Sequence, residues 1–457
     1  MSASQETSVA VDAQAPGWNN RQLSQAMWAW TLRTTASTLT AQGFLVYYLL
    51  ELKANDRLLG LASALPSFAF AAQFAGSVWA ERTRSRRRLC LQLFLANAIC
   101  WLPALVVGLW AAGSAERYPV ARIVFVACLS LMAVFYHLHS PAWDSLFSDA
   151  VPDKQKSAFL GKWGLWSGIG LAACSILGGW LIEVVSHGQT AAVRQTMYLA
   201  VFAACLICSL VAGWFYRGVQ DVPAQNERYS IRELIRLALA QRNYMTFMSV
   251  NATRTIAMGV YAAFIIAWFR ESLGMSILFL CLLTAWSTAI SALVSPFWSR
   301  LVQRFGGKPV LTFGFVVSMW SLATYFFYTP ANYRWLSVIH WGLFGLLISA
   351  YSVAVNTLWY ALPQRKARTM QFAIAWTFMG VVGAIGAAAG GWIASRVPDM
   401  IIGPYHGSHY HWLVALAIVI HVPGFFFLRK IEEPGAHEPW VMAGWFLRRL
   451  TLRRPPG

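Results

Sequence analysis

The chain has 457 residues, 58% hydrophobic and only 12% charged, with a formal net charge of +18. A soluble protein of this length carries about a quarter charged residues, so an ordinary water-soluble enzyme or scaffold is excluded. The basic residues sit in short clusters between long apolar runs, which argues against a nucleic-acid partner and for a bilayer as the solvent.

Residues 1–24 are polar and read as a cytoplasmic N-terminal segment without a cleavable signal. Apolar runs long enough to cross a ~30 Å hydrocarbon core follow near 25–50, 58–80, 88–112, 119–148, 158–185 and 196–217. Together, 25–217 form a first six-helix half. A polar linker, 218–243, interrupts the pattern. In it Ile231, Leu234, Ile235 and Ala238 recur at helical spacing, opposite Arg232, Glu233 and Arg236. Ser230 with Glu233 fits a capping box, so the linker is expected to hold an amphipathic helix on the membrane surface. Six more runs lie near 244–270, 275–299, 309–329, 334–361, 370–396 and 409–428, giving a second half over 244–428. The basic tail, 429–457, repeats the amphipathic pattern from Glu438 to Leu452, opened by Pro439 at a first helical position.

With both termini in the cytoplasm, 26 of the lysines and arginines fall inside and 8 outside, a strong positive-inside bias for an even number of spans. The seven cysteines lie within apolar runs and read as small packing residues. High Ala, Trp and Arg usage points to a bacterial inner membrane.

An internal repeat sets the architecture. Ser77-Val-Trp-Ala-Glu81-Arg82-Thr-Arg84-Ser-Arg86 follows the second run, and Ser299-Arg-Leu-Val-Gln303-Arg304-Phe-Gly306-Gly-Lys308 follows the eighth. Gly178-Gly179-Trp180 in the fifth run matches Gly390-Gly391-Trp392 in the eleventh. Asp149-Ala150-Val151-Pro152 matches Tyr360-Ala361-Leu362-Pro363. The order is the same in both copies, which implies two homologous bundles.

On these motifs the chain resembles the major facilitator superfamily from about 20 to 430. The resemblance implies an all-α membrane fold of twelve transmembrane helices in two pseudo-symmetric six-helix bundles. It also implies that the loop after helix 2, with Glu81, Arg82 and Arg86, and its copy, with Gln303, Arg304, Gly306 and Lys308, stabilise one state of a transport cycle. Gly161, Gly170, Cys174, Ser175, Gly178 and Gly179 follow part of an antiporter pattern on helix 5.

Ionisable groups inside spans are costly and point to function. Arg33 lies roughly 12 Å into helix 1, and Arg254 lies roughly 15 Å into helix 7, its repeat equivalent. Two inward cations could clamp an anion. Arg33 is expected to pair with Asp144 on helix 4, whereas Arg254 has no carboxylate at its depth. Further solute-binding candidates on helices 1, 4, 7 and 10 are Thr40, Gln42, Tyr136, His137, Asn251, Tyr261, Tyr351 and Asn356. Proton-coupling candidates are Asp144, His137 and His139. The two histidines, two residues apart, cannot share one helix face. His340 and His421 read as packing residues. His406, His409 and His411 before helix 12 read as an interfacial loop, with no acid or cysteine beside them in sequence and no metal expected.

The sequence therefore predicts a secondary active transporter moving a small organic solute, with an anion as the first choice, by alternating access. An exporter of hydrophobic drugs is the alternative, and a non-transporting sensor on the same fold a third reading. Enzymatic activity and cofactors are not expected. The expected partners are a small-molecule solute, the lipid bilayer and protons as coupling ion, and the expected state is a monomer.

Overall fold

The structure is a computed structural model describing residues 18–39, 42–151, 153–221, 235–236, 239–362, 368–403 and 405–451. The linker helix expected around 230–238 and the candidate Thr40 lie outside the described residues, as do the side chains of Gln42 and Glu81.

The first half contains α1 (Asn20–Leu39), α2 (Gln42–Glu51), α3 (Asp56–Phe68), α4 (Ala72–Arg82), α5 (Arg86–Ile99), α6 (Trp101–Ala111), α7 (Tyr118–Ala150), α8 (Asp153–Trp180) and α9 (Ala191–Arg217). The second contains α10 (Arg242–Glu271), α11 (Ile277–Phe305), α12 (Gly307–Ala323), α13 (Tyr333–Ala361), α14 (Arg368–Ala394) and α15 (Tyr410–Arg429), followed by α16 (Pro439–Thr451). Three pairs (α1 with α2, α3 with α4, α5 with α6) each make one span, so twelve spans result. Eleven of them are long and apolar enough to cross a membrane, the exception being the α1–α2 pair. A short hairpin, β1 (Met400–Ile402) with β2 (Tyr405–Gly407), precedes α15.

Local sequence explains where the spans start. Asn55 accepts from the Leu58 N–H at 3.0 Å, and the Ser85, Thr190 and Ser276 side chains cap their helices in the same way. Apolar residues fill nearly every turn between the caps. That pattern suits helices whose backbone bonds must close internally in lipid.

The buried residues form one large shared core, two cores confined to single halves, and a small cluster where Ala64 of α3 meets Ala384 and Ala387 of α14. At the face away from the chain ends, Tyr47, Phe125 and Phe202 of the first half join Phe264, Phe269 and Leu280 of the second in one cluster. At the face carrying the ends, Trp143, Leu146 and Phe147 pack within the first half, and Phe247, Val310 and Leu358 within the second. The halves are thus fused at the far face and independently packed at the terminal face. Tyr47 donates across the seam to the Met275 carbonyl at 2.7 Å, and Arg270 pairs with Glu51 at 3.1 Å.

At the terminal face, an acid following each half caps the repeated loop. Asp221, after α9, accepts from the Ser85 hydroxyl and the Arg87 N–H. Glu433, after α15, accepts from the Gly307 and Lys308 N–H groups at 2.8 and 2.6 Å. Gly306 (φ 97°) makes the turn that presents those donors. Charge-assisted caps of this kind contribute about 1–2 kcal/mol. Glu433→Ala is expected to lower the melting temperature in detergent, with Glu433→Gln retaining part of the loss-free value through its carbonyl. Equal melting of the wild type and Glu433→Ala would show that the cap carries no weight.

The tail holds the helix α16. It lies against the second half, with Met442 buried, Trp445 edge-on to Phe305, and Phe446 stacked on Phe313 and tilted against Trp298, while Trp440 is exposed.

Candidate transport cavity

The helix α10 carries Asn251, Arg254 and Tyr261 at spacings of three and seven, one face of a helix. Asn251 accepts from the Tyr351 hydroxyl of α13 at 2.7 Å, and the Arg254 guanidinium lies over the Tyr351 ring, 4.3 Å from its centroid. That is cation–π range. The Asn251–Tyr351 bond fixes the ring, and the ring fixes the cation. Both Asn251 and Tyr351 are buried, so they position Arg254 rather than face an open space.

Beyond Arg254 opens a cavity of about 360 Å³. Tyr261, Ile265 and Phe269 of α10 line it, with Thr284 of α11, Ser318 and Ser321 of α12, and Tyr325 just after α12. His340 and Trp341 of α13 and His421 of α15 complete the second-half wall, and Gly43, Phe44 and Ser175 supply the first-half side. Among the described residues Arg254 is the only lysine, arginine or carboxylate lining the cavity, and it has no carboxylate within 4.0 Å. His340 is fully occupied: Ser321 and Thr324 hydroxyls meet Nε2 at 2.8 and 3.0 Å, and the Tyr328 hydroxyl meets Nδ1 at 2.8 Å. With both ring nitrogens engaged, His340 is a fixed part of the cavity wall.

The first half repeats the cation–ring pair without the cavity. Arg33 lies 4.2 Å from the Tyr136 ring centroid on α7. The expected Arg33–Asp144 pair is not formed; the guanidinium instead donates to His139 Nδ1 at 2.9 Å. His139 and Asp144 are five residues apart, about 140° around a helix, so only one can face α1. Asp144 is exposed and has the Ser140 hydroxyl at 3.5 Å. His139 and His137 are both buried, and His137 turns to Gln73 of α4 at 3.1 Å. A cation already occupies His139 Nδ1, so protonation there would set two positive charges together.

Of the expected solute-binding residues, Arg254 and Tyr261 line the cavity, whereas Arg33, Tyr136, His137, Asn251, Tyr351 and Asn356 do not. Asn356 is exposed on α13. Ser318, Ser321 and Tyr325 were not anticipated, although their spacing of three and four marks one polar helix stripe. At the repeated loops, Arg82 is exposed and the ion pair belongs to Arg86, which meets Asp149 at 2.7 Å. Gln303 and Arg304 are exposed, Arg304 lying 5.4 Å from the Trp445 ring, and Lys308 Nζ donates to the Arg429 carbonyl. The acid-free reading of the histidine loop is corrected. Folding brings Asp56 and Asp399 to His409, residues too distant in sequence to be seen beside it. Among the described residues no metal-holding group of three ligands forms.

Residues 34–399 match the family model described as the MFS_1 like family. The chain belongs to that family, within the major facilitator superfamily. Its fold is similar to that of a D-xylose-proton symporter (14% identity, TM-score 0.66, covering 92% of this chain and 99% of that one). It is also similar to the xylose transporter XylE from E. coli in a partially occluded inward-open conformation (14% identity, TM-score 0.63, 92% and 99% covered). A third likeness is to a bacterial homologue of the human lysosomal transporter Spinster in an inward-facing, unoccupied conformation (16% identity, TM-score 0.62, 90% and 97% covered). No curated protein sequence matches this chain. The superfamily's two-bundle architecture thus holds for nearly the whole chain, with the cavity set into its second bundle.

Proposed function

We propose that this major facilitator protein moves a small organic anion across the membrane by alternating access, the two halves rocking about the Arg254 cavity. The observation that carries this reading is a single cation, stacked on Tyr351 but without a carboxylate beside it among the described residues, lining a cavity inside an apolar bundle. A charge held within an apolar bundle without a counter-ion is costly, and a ligand's carboxylate or phosphate would offset that cost. A cavity of about 360 Å³ lies within the range of small-molecule sites, roughly 300–1,000 Å³, which suits a metabolite. Tyr261, Tyr325, Trp341 and Phe269 supply walls for the solute's apolar body.

The positive-inside bias of the basic clusters supports a cytoplasmic terminal face and an outward fused face. On that orientation the fused face closes the outer side, and our reading is of a monomer in a bacterial inner membrane with both termini cytoplasmic. Protons are the coupling ion we favour, and the solute is the partner. Arg33, held by His139 and Tyr136, acts in packing the first half.

The reading is tested by a thermal-shift panel of organic anions, sugars and amphipathic cations on the purified protein. A ligand binding only the native state at a hundred times its Kd stabilises it by about 2.7 kcal/mol. Anions are expected to raise the melting temperature, and to do so only while Arg254 is present. Stabilisation by amphipathic cations alone would overturn the anion reading and favour drug export, for which the aromatic walls are the supporting feature.

A further inference from the structure

At the far face, side chains from the two halves meet around one hydroxyl. Tyr410 opens α15 and is buried. Its Oη lies 2.9 Å from Asp56 Oδ1 and 3.0 Å from Glu271 Oε2. Asp56 belongs to the first half, Glu271 and Tyr410 to the second. A phenol has one proton to give and lone pairs to accept with. If both carboxyls were ionised, one short contact would set an anionic oxygen against a hydroxyl lone pair. The two anions would also repel across the seam. One added proton removes both problems: a carboxylic acid donates to Oη, and Oη donates to the remaining carboxylate.

The helix ends decide which carboxyl holds it. Asp56 sits in the first turn of α3, where free N–H groups and the helix dipole favour an anion. Glu271 is the last residue of α10, where the dipole opposes one. The neighbouring guanidiniums are engaged elsewhere. Arg57 Nε donates to the Ser395 hydroxyl at 3.1 Å, and Arg270 binds Glu51, which also pairs with Arg194. His411 Nδ1 faces the Ser408 carbonyl at 3.0 Å. The titratable group that does face the bridge is His409, with Nε2 3.5 Å from Asp56 Oδ2 and Nδ1 3.3 Å from Asp399 Oδ1.

We propose that the Asp56–Tyr410–Glu271 bridge is a proton-binding device, taking up a proton at Glu271 when the far face closes and releasing it when the halves part. The proposal rests on the transporter reading and supplies its coupling ion at a site outside the solute cavity. His409 acts in the same sense. The bond to Asp56 holds its imidazole above the ordinary value, burial opposes this, and Asp399 adds to it. A raised value in the closed form means that its contribution to closure is complete below the ordinary imidazole pKa. That contribution is lost as the pH rises through the raised one. Acid therefore favours the closed far face through both groups.

The test uses full-length protein in lipid nanodiscs, without solute, carrying spin labels at Glu116→Cys and Ala331→Cys, exposed far-face positions of opposite halves. The closed, short-distance population is expected to grow as the pH falls, by up to about tenfold per pH unit for a single proton. Glu271→Gln, a neutral isostere, is expected to flatten that titration, and Glu271→Gln with His409→Gln to abolish it. In infrared difference spectra a protonated-carboxyl band of the wild type is expected to vanish in Glu271→Gln. A distance distribution indifferent to pH, a Glu271→Gln titration matching wild type, or a carboxyl band surviving in that variant would each overturn the proposal. None of these readouts involves the solute, so failure here is distinct from failure of the anion site.

Discussion

Arg254→Gln is expected to weaken organic-anion binding about 10- to 150-fold while leaving the melting temperature of the empty protein near wild type. A hydrogen bond to a charged group is worth about 1.5–3 kcal/mol, and each 1.4 kcal/mol is tenfold in affinity. The fold should tolerate the change because no carboxylate depends on the guanidinium. Arg254→Lys keeps the charge but loses the planar stacking on Tyr351, so partial recovery is expected. Tyr351→Phe keeps the ring and loses the hydroxyl bond to Asn251, and should fall between the wild type and Arg254→Gln. Arg33→Gln, outside the cavity, is the matched control. Proteoliposome counterflow of an anion found in the thermal screen provides the measurement. Unchanged affinity in Arg254→Gln would remove the cation from the site.

Gly60→Val is expected to shift the far face from closed towards open by about 10- to 100-fold. Helix α3 of the first half crosses α14 of the second at Gly60, where a Cβ would come 2.9 Å from the Ala387 carbonyl and from the Gly391 Cα. Both are backbone atoms and cannot swing aside. Small residues permit this approach in a membrane, where helix contact depends on close packing rather than on solvent exclusion. Overpacking costs about 1–3 kcal/mol, which sets the size of the shift. Because the crossing belongs to the closed state, the cost falls on closure more than on either bundle. The spin-label pair Glu116→Cys and Ala331→Cys reads this directly. Gly164→Ala, where a Cβ meets nothing within 4 Å, should leave the distances unchanged. Closed-state distances persisting in Gly60→Val would mean that α3 and α14 yield elsewhere.

Much of the fold was legible because a bilayer leaves few choices. Apolar length gave the spans to within a few residues at most ends, as at Tyr333–Ala361 against an expected 334–361. The repeat gave the two bundles. Arg254 was found because an ionisable residue deep in a span is conspicuous by itself. The rest of the cavity was not, since Ser318, Ser321 and Thr284 are ordinary in membrane helices and only tertiary packing turns them inward. Arg33 shows the limit from the other side. Depth alone suggested a clamp, but the rotation between His139 and Asp144 decided its partner. The far-face bridge was invisible because Asp56, Glu271 and Tyr410 come from three widely separated parts of the chain. Each lies near a span end, where a polar residue draws no notice.

The cavity wall also governs how occupancy can be observed. The chain has 23 tryptophans, and Trp341 alone lines the cavity among the described residues. Solute binding therefore alters the surroundings of one indole against the emission of all the others, many of them facing lipid. Bulk intrinsic fluorescence would be nearly silent to a bound solute. A Trp341→Phe protein, keeping an aromatic wall, serves as a spectroscopic blank, and the wild-type minus variant spectrum isolates the ring that meets the solute.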